Sequence, residues 1–431
     1  MARIYPFRGY RFDPSVVGKL DDVVTQPYDK IPEALRREYL GRSPHNIVRV
    51  IRNEDYAEAA RFLNDWIREG VLRQDLDACL YVYEQLFSFE GVVHSRIGII
   101  GLVALDDSEL VVRGHETVLE RPLSDRLNLI RHTQANEGLI FTLFSDPSLK
   151  VDHVLDGYTE VHAPAIEVTD DFGVLHRVWA VSDPDVVSAL RSLVEPLPLY
   201  IADGHHRFQT SLLFHKECLA QGCRPLAPES FDRRMIALFN MESQGMRILP
   251  THRGVKGLED FRPHRFVLGL ERHFRIKSAA TFDDMYKGVE DGHNCIGFCW
   301  PQGRELHAVV ARLKEEAHSD PEFMPEAQGP LRELDVTILH SGVLSGLLGI
   351  GPDKVSSGDY VSYFRDRNEL RGLLEQGSLQ LGCFLRSTSL SQVRKISESG
   401  ARMPQKSTDF FPKLLTGLVL MKMEMNGKSE G

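Results

Sequence analysis

Between residues 55 and 69 apolar side chains return every three to four positions. Ala59, Phe62, Leu63, Trp66 and Ile67 fall on one face and Gly70 follows, which predicts an amphipathic helix with a glycine stop. The period then changes. Cys79 to Phe87 and Val92 to Leu105 are apolar-rich runs separated by Ser88-Phe89-Glu90-Gly91, the pattern of a hairpin. After the loop around Arg113-Gly114-His115-Glu116-Thr117, Ser124 is predicted to cap the next helix. Leu139 to Phe144 and Met235 to Phe239 read as buried strands. Leu197 to Ile201, broken by Pro198, predicts a short strand entering Ala202-Asp203-Gly204-His205-His206-Arg207, and Phe208 to Phe214 opens a helix. From about Lys256 the texture shifts to charged helical patterns, strands at Cys295 to Trp300 and Ala308 to Leu313, and a Gly-rich passage from Ser341 to Gly351. A strand at Leu379 to Arg386, a helix capped by Thr388 or Ser389 and running to Ser397, and a loop from Met403 to Lys413 complete the pattern. The fold class expected is mixed α/β (α+β). Residues 1–255 would form a core, 256–370 a second α/β domain, and 371–431 a segment returning to the core.

Composition narrows the function. A chain of 431 residues can bury two or three cores. Its net charge of −10, with no Lys/Arg cluster, argues against nonspecific binding of nucleic acid. The six cysteines are scattered without a CxxC pair, so neither a zinc ribbon nor a disulfide framework is indicated. Neither a signal-peptide h-region nor a run long enough to span a membrane is seen, and a soluble, cytoplasmic protein without a membrane partner is expected.

Four polar sets interrupt the apolar pattern. The densest is Asp203-Gly204-His205-His206-Arg207, where a strand meets a helix. Unbonded N–H groups and the helix dipole favour an anion there, and Gly204 leaves room for it; a phosphate fits best. The plainer alternative is a turn in which Asp203 caps the helix and the histidines are solvated. Adjacent histidines point apart, so a zinc site on His205 and His206 alone is disfavoured. Lys406, Ser407 and Thr408, between Pro404 and Pro412, supply an ammonium and two hydroxyls on a stiffened backbone, with Phe410, Phe411 and Leu414 to pin the loop. By itself such a triple equally suits an ordinary surface. His115 and Glu116 offer a general base or a metal ligand, or else a solvated loop. Thr251-His252-Arg253 reads as a fourth polar turn, more in keeping with a structural role than with a cleft.

Taken in order, Gln26-Pro27-Tyr28-Asp29, Gly114-His115-Glu116-Thr117 with Asp125-Arg126-Leu127, Asp203 to Arg207, Leu249-Pro250-Thr251-His252-Arg253, and Met403 to Thr408 with Pro412-Lys413 resemble the prokaryotic domain of unknown function 1015. The resemblance spans nearly the full length. It implies a ParB/sulfiredoxin-like nucleotide-binding core, in which Gly204-His205-His206-Arg207 matches the phosphate-binding turn. It also implies kinship with free-serine kinases, whose Asp-Gly-His-Thr-Arg motif differs here by a His for the Thr. Gln26 stands where the family usually has Pro, and Phe208 where it has Tyr.

The activity implied is phosphoryl transfer from ATP or ADP to a small hydroxyl metabolite, free L-serine first. Such a reaction needs cations around the phosphates, a carboxylate for Mg²⁺ and a base at the acceptor. Gly204, His205, His206 and Arg207 would cradle phosphate, Lys406, Ser407 and Thr408 would close over it, and Asp203 would hold Mg²⁺. Glu116 is the first candidate base and Asp29 the second. His115, Arg126, His252, Arg253 and Lys413 are supporting candidates. A different class fits the same turn: a regulatory module that binds, and slowly hydrolyses, a nucleotide to switch partner, an analogy at the level of fold. Metal-dependent hydrolysis through His115, Glu116 and Asp203 is a third. The middle domain suits a substrate lid or a homodimer interface.

Overall fold

The computed structural model describes residues 3–105, 111–116, 120–303 and 305–426; Thr117 lies outside them. The chain forms two compact units. One holds residues 1–114, 118–247 and 412–431, the other residues 115–117 and 248–411. The passage into the second unit thus falls at Arg247 and Ile248. Only the segment from Pro412 onward rejoins the first, whereas the sequence pattern had placed these points near 255 and 371.

The first unit is built on a mixed nine-stranded sheet. In chain order its strands are β1 (Ile4–Tyr5), β2 (Leu80–Phe89), β3 (Val92–Ala104), β4 (Val112–Arg113), β5 (Ile140–Phe144), β6 (Ile166–Thr169), β7 (Leu175–Val181), β8 (Leu199–Asp203) and β9 (Arg233–Asn240). Their order across the sheet is β4-β8-β5-β9-β3-β2-β7-β6, with β1 also on β3. The pairs β8 with β4 and β9 with β5 are parallel, and the remaining ladders antiparallel. The β2–β3 hairpin turns at Glu90 and Gly91, whose φ values of 52° and 77° are those a two-residue turn needs. Val82, Ile99, Ile140, Ile201, Ile236 and Leu238 are among the buried side chains that fuse the sheet to its helices.

Helix α1 (Tyr56–Arg68) follows the periodicity: Asp55 caps the N–H groups of Ala57 and Glu58, and Ala59, Leu63 and Trp66 are buried. Helix α2 (Glu120–Thr133) starts earlier than expected, so Ser124 lies inside it and caps nothing. Pro122 explains the shift, because a proline is accepted in a first turn where its missing N–H has no partner to lose. Helix α3 (His205–Ala220) leaves the end of β8 after a single residue, Gly204.

The second unit has a wholly antiparallel six-stranded sheet. Its strands are β10 (His252–Val255), β11 (Phe274–Ser278), β12 (Cys295–Gln302), β13 (Glu305–Leu313), β14 (Val361–Phe364) and β15 (Leu381–Phe384), ordered β11-β13-β12-β15-β10-β14. Helix α4 (Leu390–Ser399) begins with the Ser389/Gln392 capping box that its sequence announces. The six cysteines are free thiols. Among the described residues no helix is long and apolar enough to cross a membrane.

Thr251-His252-Arg253, expected as a turn, runs into β10, and His252 and Arg253 are buried. His252 accepts the Leu385 N–H at 3.3 Å and packs on Tyr286 and Phe384. Burial first, then Arg253 and Arg367, push its imidazole from the usual 6.5 down to about 3. The folded chain keeps this ring neutral while the unfolded chain protonates it below pH 6.5. The stability tied to neutrality is therefore full above pH 6.5 and drains away as pH falls towards 3. His252→Gln should flatten that part of the curve of urea midpoint against pH. Parallel curves for the two proteins would remove His252 as the cause.

Candidate functional site

In the first unit the Asp203 to Arg207 turn is formed as the sequence predicts. Asp203 ends β8 at a point where its register with β5 shifts, so the strand edge breaks where the carboxylate emerges. Gly204 has φ 97°, a left-handed conformation closed to most side chains, and its N–H donates to Asp203 Oδ1 at 3.0 Å. A Cβ there would also stand 3.2 Å from the Arg207 guanidinium. Gly204→Ala should thus cost about 1–2 kcal/mol of stability and displace Arg207, measurable as a lower melting temperature.

Two cations face the Asp203 carboxylate. Lys413 Nζ lies 3.4 Å and Arg207 Nη2 3.7 Å from Oδ2. Lys413 is only 7% exposed, and its segment is anchored from below: Gln85 Nε2 donates to the Lys413 carbonyl at 2.9 Å, and Arg96 Nη2 to the Pro412 carbonyl at 2.7 Å. Arg96 is itself buried on β3 between Phe141 and Phe239, and burial pushes its guanidinium down to about 9. His205 is buried and His206 half-buried in the first turn of α3.

Tyr28 and Arg126 complete this corner. The Arg126 guanidinium stacks 4.2 Å from the Tyr28 ring centroid, donates to the Ile51 carbonyl at 2.9 Å, and pairs with Asp125 at 2.6 Å. Burial above all, then Asp29, pushes the Tyr28 hydroxyl up to about 12, with Arg207, Arg126 and Asp203 also acting on it. Asp29 itself is exposed. Gln26, the family departure, has its own use: Nε2 donates to Asp170 Oδ2 at 2.9 Å, and Asp170 faces the buried His176 at 3.4 Å.

A cavity opens beside the turn, with about 450 Å³ between its walls, part of it open to solvent. Ile51, Leu129, Ile130 and Ala135 give it an apolar side; Tyr28, Arg126, Arg207, Arg234, Glu137 and Thr210 give it polar ones. Two successive carbonyls fix the guanidinium groups: Leu139 accepts from Arg207 Nη1, and Gly138 from Arg234 Nη2 at 2.6 Å. Arg234 was not foreseen from the sequence, although an Arg-Arg pair opening the apolar run Met235 to Phe239 is a signal of a buried cation. Burial first, then Arg207, pushes its guanidinium down to about 9.

The second unit gathers the other candidates. The Met403 N–H donates to the His115 carbonyl at 2.6 Å, Glu116 bridges to Met403, and His115 Nε2 lies 3.1 Å from Thr408 Oγ1. His115 is fully buried, Glu116 half-buried. Of the expected anion-binding triple, Lys406 is exposed at φ 56°, while Ser407 is buried and spends its hydroxyl on the Pro404 carbonyl. Arg253 donates to the Lys406 carbonyl at 2.9 Å and to His340 Nε2 at 3.2 Å, and so supports this loop from inside the unit.

For Mg²⁺ the residues offer one carboxylate, Asp203, already flanked by two cations. Among the described residues no group of three His, Cys, Asp or Glu side chains could hold a metal ion.

Residues 4–337 match the sequence model of the family described as "Protein of unknown function (DUF1015)", and the chain belongs to that family. The Lys406 loop and Lys413 lie beyond the matched range. No curated protein matches. Among solved structures, a conserved hypothetical protein from Pyrococcus furiosus aligns with TM-score 0.36 and 10% identity, covering 73% of this chain and 91% of that one. A free serine kinase in complex with AMP aligns with TM-score 0.37 and 11% identity over 72% and 86%. SbnI from Staphylococcus aureus, truncated at its C-terminus, aligns with TM-score 0.36 and 12% identity over 74% and 85%.

Proposed function

We propose that this member of a family without assigned function is a small-molecule kinase. It would use ATP or ADP on a ParB/sulfiredoxin-like core to phosphorylate a hydroxyl metabolite, with free L-serine the first acceptor to try. One observation carries the reading: the Asp203 carboxylate stands between Lys413 and Arg207 at the start of the 16-residue helix α3, beside a left-handed Gly204. Phosphoryl transfer asks a protein chiefly to position its reactants and to offset charge on the transferring oxygens. The first-turn N–H groups of α3 and the Arg207 and Lys413 cations supply the positive side. Asp203 holds both cations in place and would take Mg²⁺ carried by the nucleotide. Asp29, the second of the two candidate bases after Glu116, is exposed next to Tyr28 in the same unit and would accept the acceptor's proton.

The experiment is direct. Purified protein is incubated with Mg²⁺, labelled ATP or ADP, and a pool of hydroxy amino acids and other small hydroxyl compounds, and the label is followed into a new small molecule. Nucleotide binding without acceptor-dependent turnover across the pool would falsify the kinase reading.

A further inference from the structure

We infer that the cavity below the turn is an anion subsite, built by Arg234 and Thr210, that holds a carboxylate or phosphate group of the acceptor. Arg234 is 4% exposed, and its Nε has no hydrogen-bond partner. Among the described residues no carboxylate lies within ion-pair distance of its guanidinium, which Glu137 reaches only through its field, and it donates to the Gly138 carbonyl at 2.6 Å. Thr210, 3% exposed, likewise has a buried Oγ1 without a partner. Both residues line the same cavity.

Each orphan would be costly alone. A buried guanidinium N–H and a buried hydroxyl each need an acceptor. Two unsatisfied donors on residues that line one cavity, Arg234 on β9 and Thr210 on α3, match a single oxyanion. Thr210 is three residues beyond Arg207 and therefore on the same face of α3, so this oxyanion would lie one helical turn below the phosphate-binding end. Arg126 and Arg207 add positive charge to the walls, against Glu137 as the lining carboxylate. Glu137 already accepts from Thr133 Oγ1 at 2.6 Å. A neutral polyol would leave Arg234 unpaired.

The inference deepens the kinase reading, on which only the word acceptor rests. Its test needs no turnover. Full-length protein without nucleotide is titrated calorimetrically with glycerate, glycerol 3-phosphate and glycerol, and the titrations are repeated on Thr210→Val and Arg234→Gln. Glycerate or glycerol 3-phosphate should bind while glycerol does not, and whichever binds tells carboxylate from phosphate. Thr210→Val should weaken that binding about tenfold and Arg234→Gln more, as loss of a hydrogen bond to a charged group implies. Should Arg234→Gln fail to fold, Thr210→Val still decides. No binding by either oxyanion, or equal binding by wild type and Thr210→Val, overturns the subsite. Oxyanion binding with no phosphoryl transfer to any compound would sink the kinase reading and leave the subsite standing. Transfer to a neutral polyol, unaffected by either substitution, would do the reverse.

Discussion

Asp203→Asn should lower acceptor-dependent turnover by about a hundredfold or more while the protein still folds. Asparagine keeps the shape of the side chain and an oxygen for the Gly204 N–H, which now donates to Oδ1 at 3.0 Å. What it removes is the charge. Lys413 Nζ at 3.4 Å and Arg207 Nη2 at 3.7 Å then lose the anion that positions them, and with it goes the carboxylate that the proposed kinase site would use for a nucleotide-borne Mg²⁺. Some stability goes too, about 1–3 kcal/mol, because Lys413 is nearly buried and loses a charged partner. The two effects separate by measurement. Turnover is compared at a temperature where both proteins are folded by circular dichroism, and Lys413→Met serves as a second probe of the same pair. A carboxylate that only caps the helix would leave turnover unchanged in Asp203→Asn, and that result would remove it from the site.

The junction around Asp203 was legible because everything that makes it is local. A buried strand, a glycine and a helix follow one another within about twenty residues, and each announces itself by period or by residue type. The cavity beneath was not legible. Arg234, on β9, is placed by the carbonyl of Gly138, just before β5, a contact 96 residues apart that no window of sequence contains. Thr210 reads as one more polar residue in a helix; only its burial without a partner marks it out. Ser124 misled for a local reason, since Pro122 moved the helix start upstream of it. Thr251-His252-Arg253 misled for a distant one. Its polar groups look solvated in sequence, yet Arg253 donates to the carbonyls of residues 405 and 406 and His252 Nδ1 accepts the N–H of Leu385. Ser407 shows the same limit, because its hydroxyl belongs to the loop and not to a ligand. Composition and charge excluded classes of function but placed no residue.

Arg253→Ala should be the most destabilising single change in the second unit. Arg253 is 1% exposed, and its guanidinium donates to the carbonyls of Thr251, Gln405 and Lys406 and to His340 Nε2. It also lies over the Tyr363 ring, 5.3 Å from the centroid. Among the described residues no salt bridge to a carboxylate holds it. Burial pushes its guanidinium down to about 10, which still leaves it charged near neutral pH. Alanine removes the charge but strands buried carbonyls and leaves a void the size of the side chain, at about 3–5 kcal/mol in total. The consequence reaches the Lys406 loop, whose backbone is held by Arg253 at the Lys406 carbonyl and by Thr388 at the Ser407 carbonyl (2.8 Å), and whose Thr408 hydroxyl lies 3.1 Å from His115. With the first hold gone, amides from Gln405 to Thr408 should exchange with solvent at least tenfold faster, while those of β12 and β13 keep their relative protection. Thr388→Val, which frees the same loop at one carbonyl without opening a void, should reproduce the exchange change at a smaller cost of about 1 kcal/mol. Uniform acceleration across the second unit in Arg253→Ala, with none in Thr388→Val, would mean that Arg253 serves the core alone and that the loop carrying Lys406 is rigid without it.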